Sequence, residues 1–207
     1  PQMIPLLTSI LTITIAAGTS LVYATIGEIY TERSGILNLG IEGMMLMGAV
    51  TAFATAYHTG SLALSILFAM LVGMVLAFVH AFLSVTMRAN QVVSGLSITL
   101  FGTGFASFVG QRLGPESNNR YLTGLSAEKF TPVEIPGLSE IPILGALFSQ
   151  DVMTYFVYLL VPAAWFFLYR TKYGLNLRAV GENPQTADAM GVSVAKQRYL
   201  YTIFGCL

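Results

Sequence analysis

The sequence predicts an all-α protein: a polytopic transmembrane helical bundle of about five complete spans and the start of a sixth. Three observations lead there. Of the 207 residues, 55% are hydrophobic and 10% charged, whereas soluble domains carry about 25% charged residues. The apolar residues gather into windows of about 20, the length an α-helix needs to cross hydrocarbon. No window alternates apolar and polar residues strictly, as a barrel strand would.

The windows run from Ile4 to Gly27, Ile36 to Tyr57, Leu62 to Met87, Val92 to Gly110 and Val152 to Tyr169. The stretch "YLYTIFGCL", from Tyr199, opens the sixth. Pro1 stands first, with no charged n-region or cleavage site after it, and Leu207 falls inside an apolar run. Residues 1–207 therefore read as a fragment of one transmembrane domain. Ten basic residues balance ten acidic ones, which argues against nucleic acid as a partner. Cys206 stands alone, so neither an internal disulfide nor redox chemistry is supported.

Orientation follows from the cations. Arg170, Lys172, Arg178, Lys196 and Arg198 crowd the loop 170–198, which the positive-inside rule assigns to the cytoplasm. Parity then puts Arg33 and Arg88 inside, and the turn "YHTGS" and the loop 111–151 outside. Arg112, Arg120 and Lys129 dissent, in a loop long enough for the rule to weaken. Trp165 and Tyr169 suit the inner interface and Tyr155 the outer one. The outer loop carries Pro115, Pro132, Pro136 and Pro142 with Glu116, Glu128, Glu134 and Glu140. It is expected to pack on the extracellular face, either as a docking surface or as a cover over helix ends.

Within the inner loop, Asn183 suits a helix N-cap, Pro184 the first helical position and Gly191 the residue past the last turn. About two helical turns are expected from Pro184 to Met190. Ala187 and Ala189 would let another protein approach closely, and Asp188 and Glu182 offer carboxylates. The alternative, an amphipathic helix on the lipid surface, lacks the bulky apolar face and basic polar face such anchors need.

In the fourth span, Gln91, Gly95, Thr99, Thr103 and Ser107 recur every four residues and form a small, polar stripe. It serves close helix packing or, with Asn90, Ser94 and Ser97, a polar solute path. The stretch "ERSGILNLGIEG" raises a related question. Glu32 and Arg33 fall at the cytoplasmic boundary, where charge is cheap. A helix starting near Ile36 would put Asn38 and Glu42 on one face, while Gly35, Gly40 and Gly43 would allow a broken or re-entrant segment. Glu42 then either lines a path or braces a neighbouring helix. Met44, Met45 and Met47 read as apolar filler. His80, with no Cys or His at ligand spacing, reads as packing, and no metal site is expected. Neither a phosphate-binding loop nor a serine-nucleophile motif occurs, so the chain is not expected to be an enzyme.

The segments "ERSGILNLGIEGMMLMGA", "NQVVSGLSITL", "GLSEIPILG" with "LFSQD", and "YRTKYGLNLRAVGENPQTADAMGVSV" together resemble the permease subunits of ABC importers of the branched-chain amino acid and simple sugar superfamily. They are most similar to its nucleoside (guanosine-type) uptake branch. The resemblance implies a multi-pass permease of the bacterial cytoplasmic (inner) membrane, sitting among membrane lipid. It would be driven by ATP on a separate ATP-binding subunit, with no cofactor on this chain. It also implies a second, related permease subunit and an extracytoplasmic solute-binding lipoprotein. In such permeases the 170–198 loop is the coupling loop, which assigns Arg178, Glu182, Asn183, Pro184, Ala187, Asp188 and Gly191 to the ATPase contact or its shaping. The candidate path residues are Asn38, Glu42, Gln91, Ser94, Ser97 and Thr99. A different class, an ion-coupled secondary transporter, would need intramembrane carboxylates or histidines, for which Glu42 and His80 are the sequence's candidates.

Overall fold

The computed structural model describes residues 3–113, 130–137, 139, 141 and 144–207. The order is α1 (Met3–Arg33), α2 (Ile41–Thr59), α3 (Leu62–Ala81) running into a π turn (Phe82–Thr86), and α4 (Gln91–Arg112). Then come β1 (Val133–Glu134), a 3₁₀ turn (Leu144–Leu147), β2 (Ser149–Gln150), α5 (Val152–Arg170), α6 (Lys172–Glu182), α7 (Pro184–Ala189) and α8 (Val194–Gly205). The all-α class stands.

Among the described residues, four helices are long and apolar enough to cross a bilayer: α1, α3 with its π turn, α4 and α5. The second expected span, α2, starts with Glu42 near its head and ends on Tyr57, His58 and Thr59, and it falls short of the others' hydropathy. The expected sixth span begins at Val194 rather than Tyr199. The first continues past Gly27 to Arg33, because Tyr30 is buried in a cluster with Ala164, Leu168, Leu177 and Tyr201. The second begins at Ile41, after a non-helical stretch, so Asn38 and Glu42 do not share a helical face.

Side-chain caps fix where most helices start. Asn90 Oδ1 accepts from Val92 N–H at 2.9 Å, Asp151 Oδ1 from Thr154 N–H at 2.8 Å and Thr171 Oγ1 from Gly174 N–H at 3.1 Å. Each satisfies an N–H group that a helix start would otherwise leave bare. The Thr171 cap starts α6, a helix not expected from the sequence, whose Leu177 and Val180 are fully buried.

A second core cluster joins α2, α3 and α4 through Met44, Met47, Leu76, Ala77 and Ile98, with Ile203 of α8 and Cys206 just past its end packed against it. Met44 and Met47 are thus core filler, as expected. Since Tyr201 belongs to the first cluster, α8 joins both halves. Glycine permits its approach. A Cβ on Gly27 would strike the Gly205 carbonyl, and one on Gly73 would lie 2.6 Å from the Cys206 oxygen. Helices in hydrocarbon gain little from burying apolar surface, so such close backbone contact contributes much of their association.

On the opposite end, Gln150 is buried and its Nε2 donates to Ala146 O at 2.8 Å and Thr12 O at 3.3 Å. Tyr155 OH donates to Val133 O at 2.9 Å, and Tyr23 OH to Met153 O at 2.9 Å. This part of the long loop therefore packs on the first half of α1. The expectations for Pro115, Glu116, Arg120, Glu128, Lys129, Glu140 and Pro142 fall outside the described residues.

Candidate functional site

Between α1 and α2 the chain leaves helical geometry from Ser34 to Gly40, and its backbone polar groups need partners. In a bilayer an unsatisfied N–H or C=O costs several kcal/mol, so irregular backbone survives only where protein or water satisfies it. Here side chains from four helices do so. Gln91 Oε1 of α4 accepts from Leu37 N–H at 2.8 Å, and His80 Nε2 of α3 meets the Leu37 carbonyl at 3.1 Å. Glu28 Oε1 of α1 accepts from Asn38 N–H at 3.1 Å, Thr99 Oγ1 donates to Leu39 O at 2.8 Å, and Arg198 Nε of α8 donates to Ser34 O at 3.2 Å. Asn38 Oδ1 folds back to accept from Gly40 N–H at 3.0 Å. The segment is held by a polar clasp.

The clasp fixes a tautomer. A carbonyl only accepts, so His80 carries its proton on Nε2, and in the neutral ring Nδ1 accepts from Ser94 Oγ, 3.0 Å away. His80 is fully buried, and its role is hydrogen-bonded packing. Asn38 is 1% exposed; its Nδ2 approaches Cys206 Sγ at 3.3 Å and Met44 Sδ at 3.8 Å. Gly35, at φ +84°, is needed where α1 stops, and a side chain there would also meet the Arg198 guanidinium.

The candidate path residues therefore separate. Asn38, Gln91, Ser94 and Thr99 converge on the segment or on His80. Glu42 is exposed in the first turn of α2, where the helix dipole favours its charge. Ser97 is exposed and donates to Val93 O of its own helix at 2.7 Å. The stripe on α4 splits too. Gly95 and Gly102 are buried under Leu39 and Gly43, while Thr103 and Ser107 lie exposed.

Glu28 was missed by the sequence reading, which closed the first span at Gly27. It is half-buried, and its Oε2 has no hydrogen-bond partner among the described residues. Two clues were available: a carboxylate one residue past an apolar window, and ten residues beyond it an asparagine between leucines.

The second candidate region is α7. Asn183 Oδ1 accepts from Thr186 N–H at 3.0 Å, and Pro184 fills the first helical position. Gly191 N–H donates to Asp188 O at 2.9 Å and Val192 N–H to Ala187 O at 3.0 Å, with Gly191 at φ +83°. These two bonds form a Schellman stop. Ala187 is buried, whereas Glu182 and Asp188 are exposed. Arg178, in α6, lies with its guanidinium 5.1 Å from the Tyr169 ring centre, at the foot of this unit. Met190 was not singled out from the sequence; at 80% it is the most exposed large apolar side chain among the described residues.

Comparison with known proteins gives these regions a context. Residues 7–206 match the family model described as branched-chain amino acid transport system / permease component. Relatives include the putative glucose ABC transporter permease protein TsgC13 of Haloferax volcanii, 44% identical over 95% of this chain and 58% of that protein. The guanosine ABC transporter permease protein NupQ of Bacillus subtilis is 34% identical over 96% of this chain and 64% of its own. The nucleoside ABC transporter permease protein NupC of Lactococcus lactis is 34% identical over 87% and 58%. The chain thus spans about three fifths of the length of these relatives. No solved structure matches it. By a match covering nearly every residue, the chain belongs to the family of branched-chain amino acid transport permease components.

Proposed function

We propose that the chain is the membrane-embedded permease part of an ATP-driven ABC importer that moves a small polar solute inward. The family match over residues 7–206 carries this reading. A nucleoside is the proposed cargo, supported by the names of two relatives at 34% identity. A sugar is the second reading, favoured by the name of the 44% identical relative. Ribose and a hexose present the same chemistry, an uncharged ring dense in hydroxyl groups.

In this reading the chain sits in the cytoplasmic membrane and pairs with a second, related permease. α2 completes the bundle as a less apolar span, and α8 begins another. An external solute-binding lipoprotein supplies selectivity, and ATP is bound and hydrolysed by a separate subunit that touches α7. The exposed Glu42 and Ser97 line the solute path, with Asn38, Gln91, Ser94 and Thr99 shaping it from behind through the clasp. An ion-coupled mechanism has less support, because Glu28 and His80 each have a polar atom engaged with the backbone at Asn38 or Leu37.

Uptake of labelled guanosine and glucose by cells with and without the full-length permease tests the reading. Guanosine accumulation that requires the permease and disappears when the ATP-binding subunit is deleted is expected. Uptake in vesicles lacking any ATPase would refute it.

A further inference from the structure

One open groove, of about 690 Å³, has the turn between α3 and α4 as one wall and α7 with the start of α8 as the other. The first wall presents Ser84, Arg88 and Gln91, the second Asp188 and Arg198. Several features distinguish it from a crevice between helix ends. Ser84 is 8% exposed, and its Oγ has no hydrogen-bond partner among the described residues. Arg88 adopts φ +51°, the one positive value outside glycine among the described residues; strained backbone of this kind clusters at functional positions. The turn is entered through the π turn Phe82–Thr86, another irregularity often met at functional sites. Gln91 and Arg198 serve twice. They wall the groove, and they hold Leu37 N–H and Ser34 O in the clasp.

We propose that this groove is a second docking surface for the ATP-binding subunit, taking an acidic segment of it between Arg88 and Arg198, and that Gln91 and Arg198 carry its occupancy to the Ser34–Gly40 segment. The inference rests on reading α7 as that subunit's contact. The occupant follows from continuity and charge. Pro184, Gln185 and Asp188 of α7 form one wall, so whatever fills the groove also touches α7. Each wall offers one guanidinium group, Arg88 on the first and Arg198 on the second, and Arg198 is engaged through Nε, leaving its other nitrogens to pair with a carboxylate. Drawing Arg198 toward such a partner loosens its hold on the Ser34 carbonyl. Moving the α3–α4 turn shifts Gln91 and with it the Leu37 amide.

The test uses the full-length permease with its partner permease in nanodiscs, titrated with the ATP-binding subunit. Arg88→Gly keeps the positive φ available while removing the cation, so its folding is not in question. It should weaken association about tenfold, roughly one charge-assisted hydrogen bond, and Arg88→Glu should weaken it further. Alkylation of Cys206, 3.3 Å from Asn38, reports on the segment. Its rate should change when the subunit docks on wild type, and should be high with or without the subunit in Gln91→Leu.

Wild-type association in both Arg88 variants, with loss in Asp188→Arg, would overturn the groove and leave the α7 reading standing. Wild-type association in all three would sink both. An Arg88 effect seen only with anionic lipid would assign the groove to lipid phosphate instead. Cys206 alkylation indifferent to docking would overturn the transmission step.

Discussion

Replacing His80 with leucine removes the ring that bridges α3 to the broken segment while nearly conserving volume. His80 Nε2 lies 3.1 Å from the Leu37 carbonyl and Nδ1 3.0 Å from Ser94 Oγ, with His80 fully buried and Ser94 6% exposed. Stranding a buried polar group costs about 1–3 kcal/mol. The carbonyl bears that cost in full, whereas the Ser94 hydroxyl can turn toward its own helix. We therefore expect a loss of about 1–3 kcal/mol, a fall in Tm of about 2–12 °C on the scale of a domain of about 200 residues. Thermal unfolding of the purified full-length permease in detergent, followed by size-exclusion fluorescence, measures it. A double-mutant cycle sharpens the reading. His80→Leu with Ser94→Ala should cost less than the sum of the single changes, because the hydrogen bond the two side chains share is lost only once. A His80→Leu protein melting within about 1 °C of wild type would refute the claim that this segment depends on side-chain partners.

Three further perturbations probe other joints. Gly43→Val places a Cβ where the nearest atom, Ile98 O, is 2.5 Å away, so α2 and α4 should separate and the protein should aggregate on size exclusion, while Gly48→Val, in open space, should stay monodisperse. Glu28→Gln keeps an oxygen to accept from Asn38 N–H and should hold Tm within about 3 °C of wild type, whereas Glu28→Leu leaves that amide bare and should lose about 1–3 kcal/mol. Met190→Glu, at the exposed tip of α7, should weaken capture of the ATP-binding subunit at least about tenfold with Tm unchanged; equal capture would remove Met190 from the contact.

Signals that act over a few residues were readable from the sequence. Asn183, Pro184 and Gly191 announced α7 because a cap, a fixed φ and a left-handed stop are local chemistry. The three glycines after Arg33 likewise announced broken backbone. What escaped depended on distant partners. The apolar window ended α1 at Gly27, yet Tyr30 extends it by packing on residues of α5, α6 and α8. Thr171 looked like loop, although the burial of Leu177 and Val180 sustains a helix there. Gln91 and Thr99 were recognisable as sharing a side of α4, with Ser94 adding hydrogen-bonding capacity near one end, but periodicity does not say what that side faces. It faces the segment and His80, while Ser97 turns away.

The clasp also has a chronology. Glu28 precedes Asn38 by ten residues, His80 and Gln91 follow Leu37 by 43 and 54, and Arg198 lies 164 residues beyond Ser34. At about 5–20 residues per second, the ribosome delivers Arg198 roughly 8–33 s after Ser34. During that interval the nascent chain must keep the Ser34 carbonyl in water, or lend it to the insertion machinery. The kink between the first two helices is therefore completed only when α8 is made, and a chain stalled before α8 would expose the flaw to quality-control proteases.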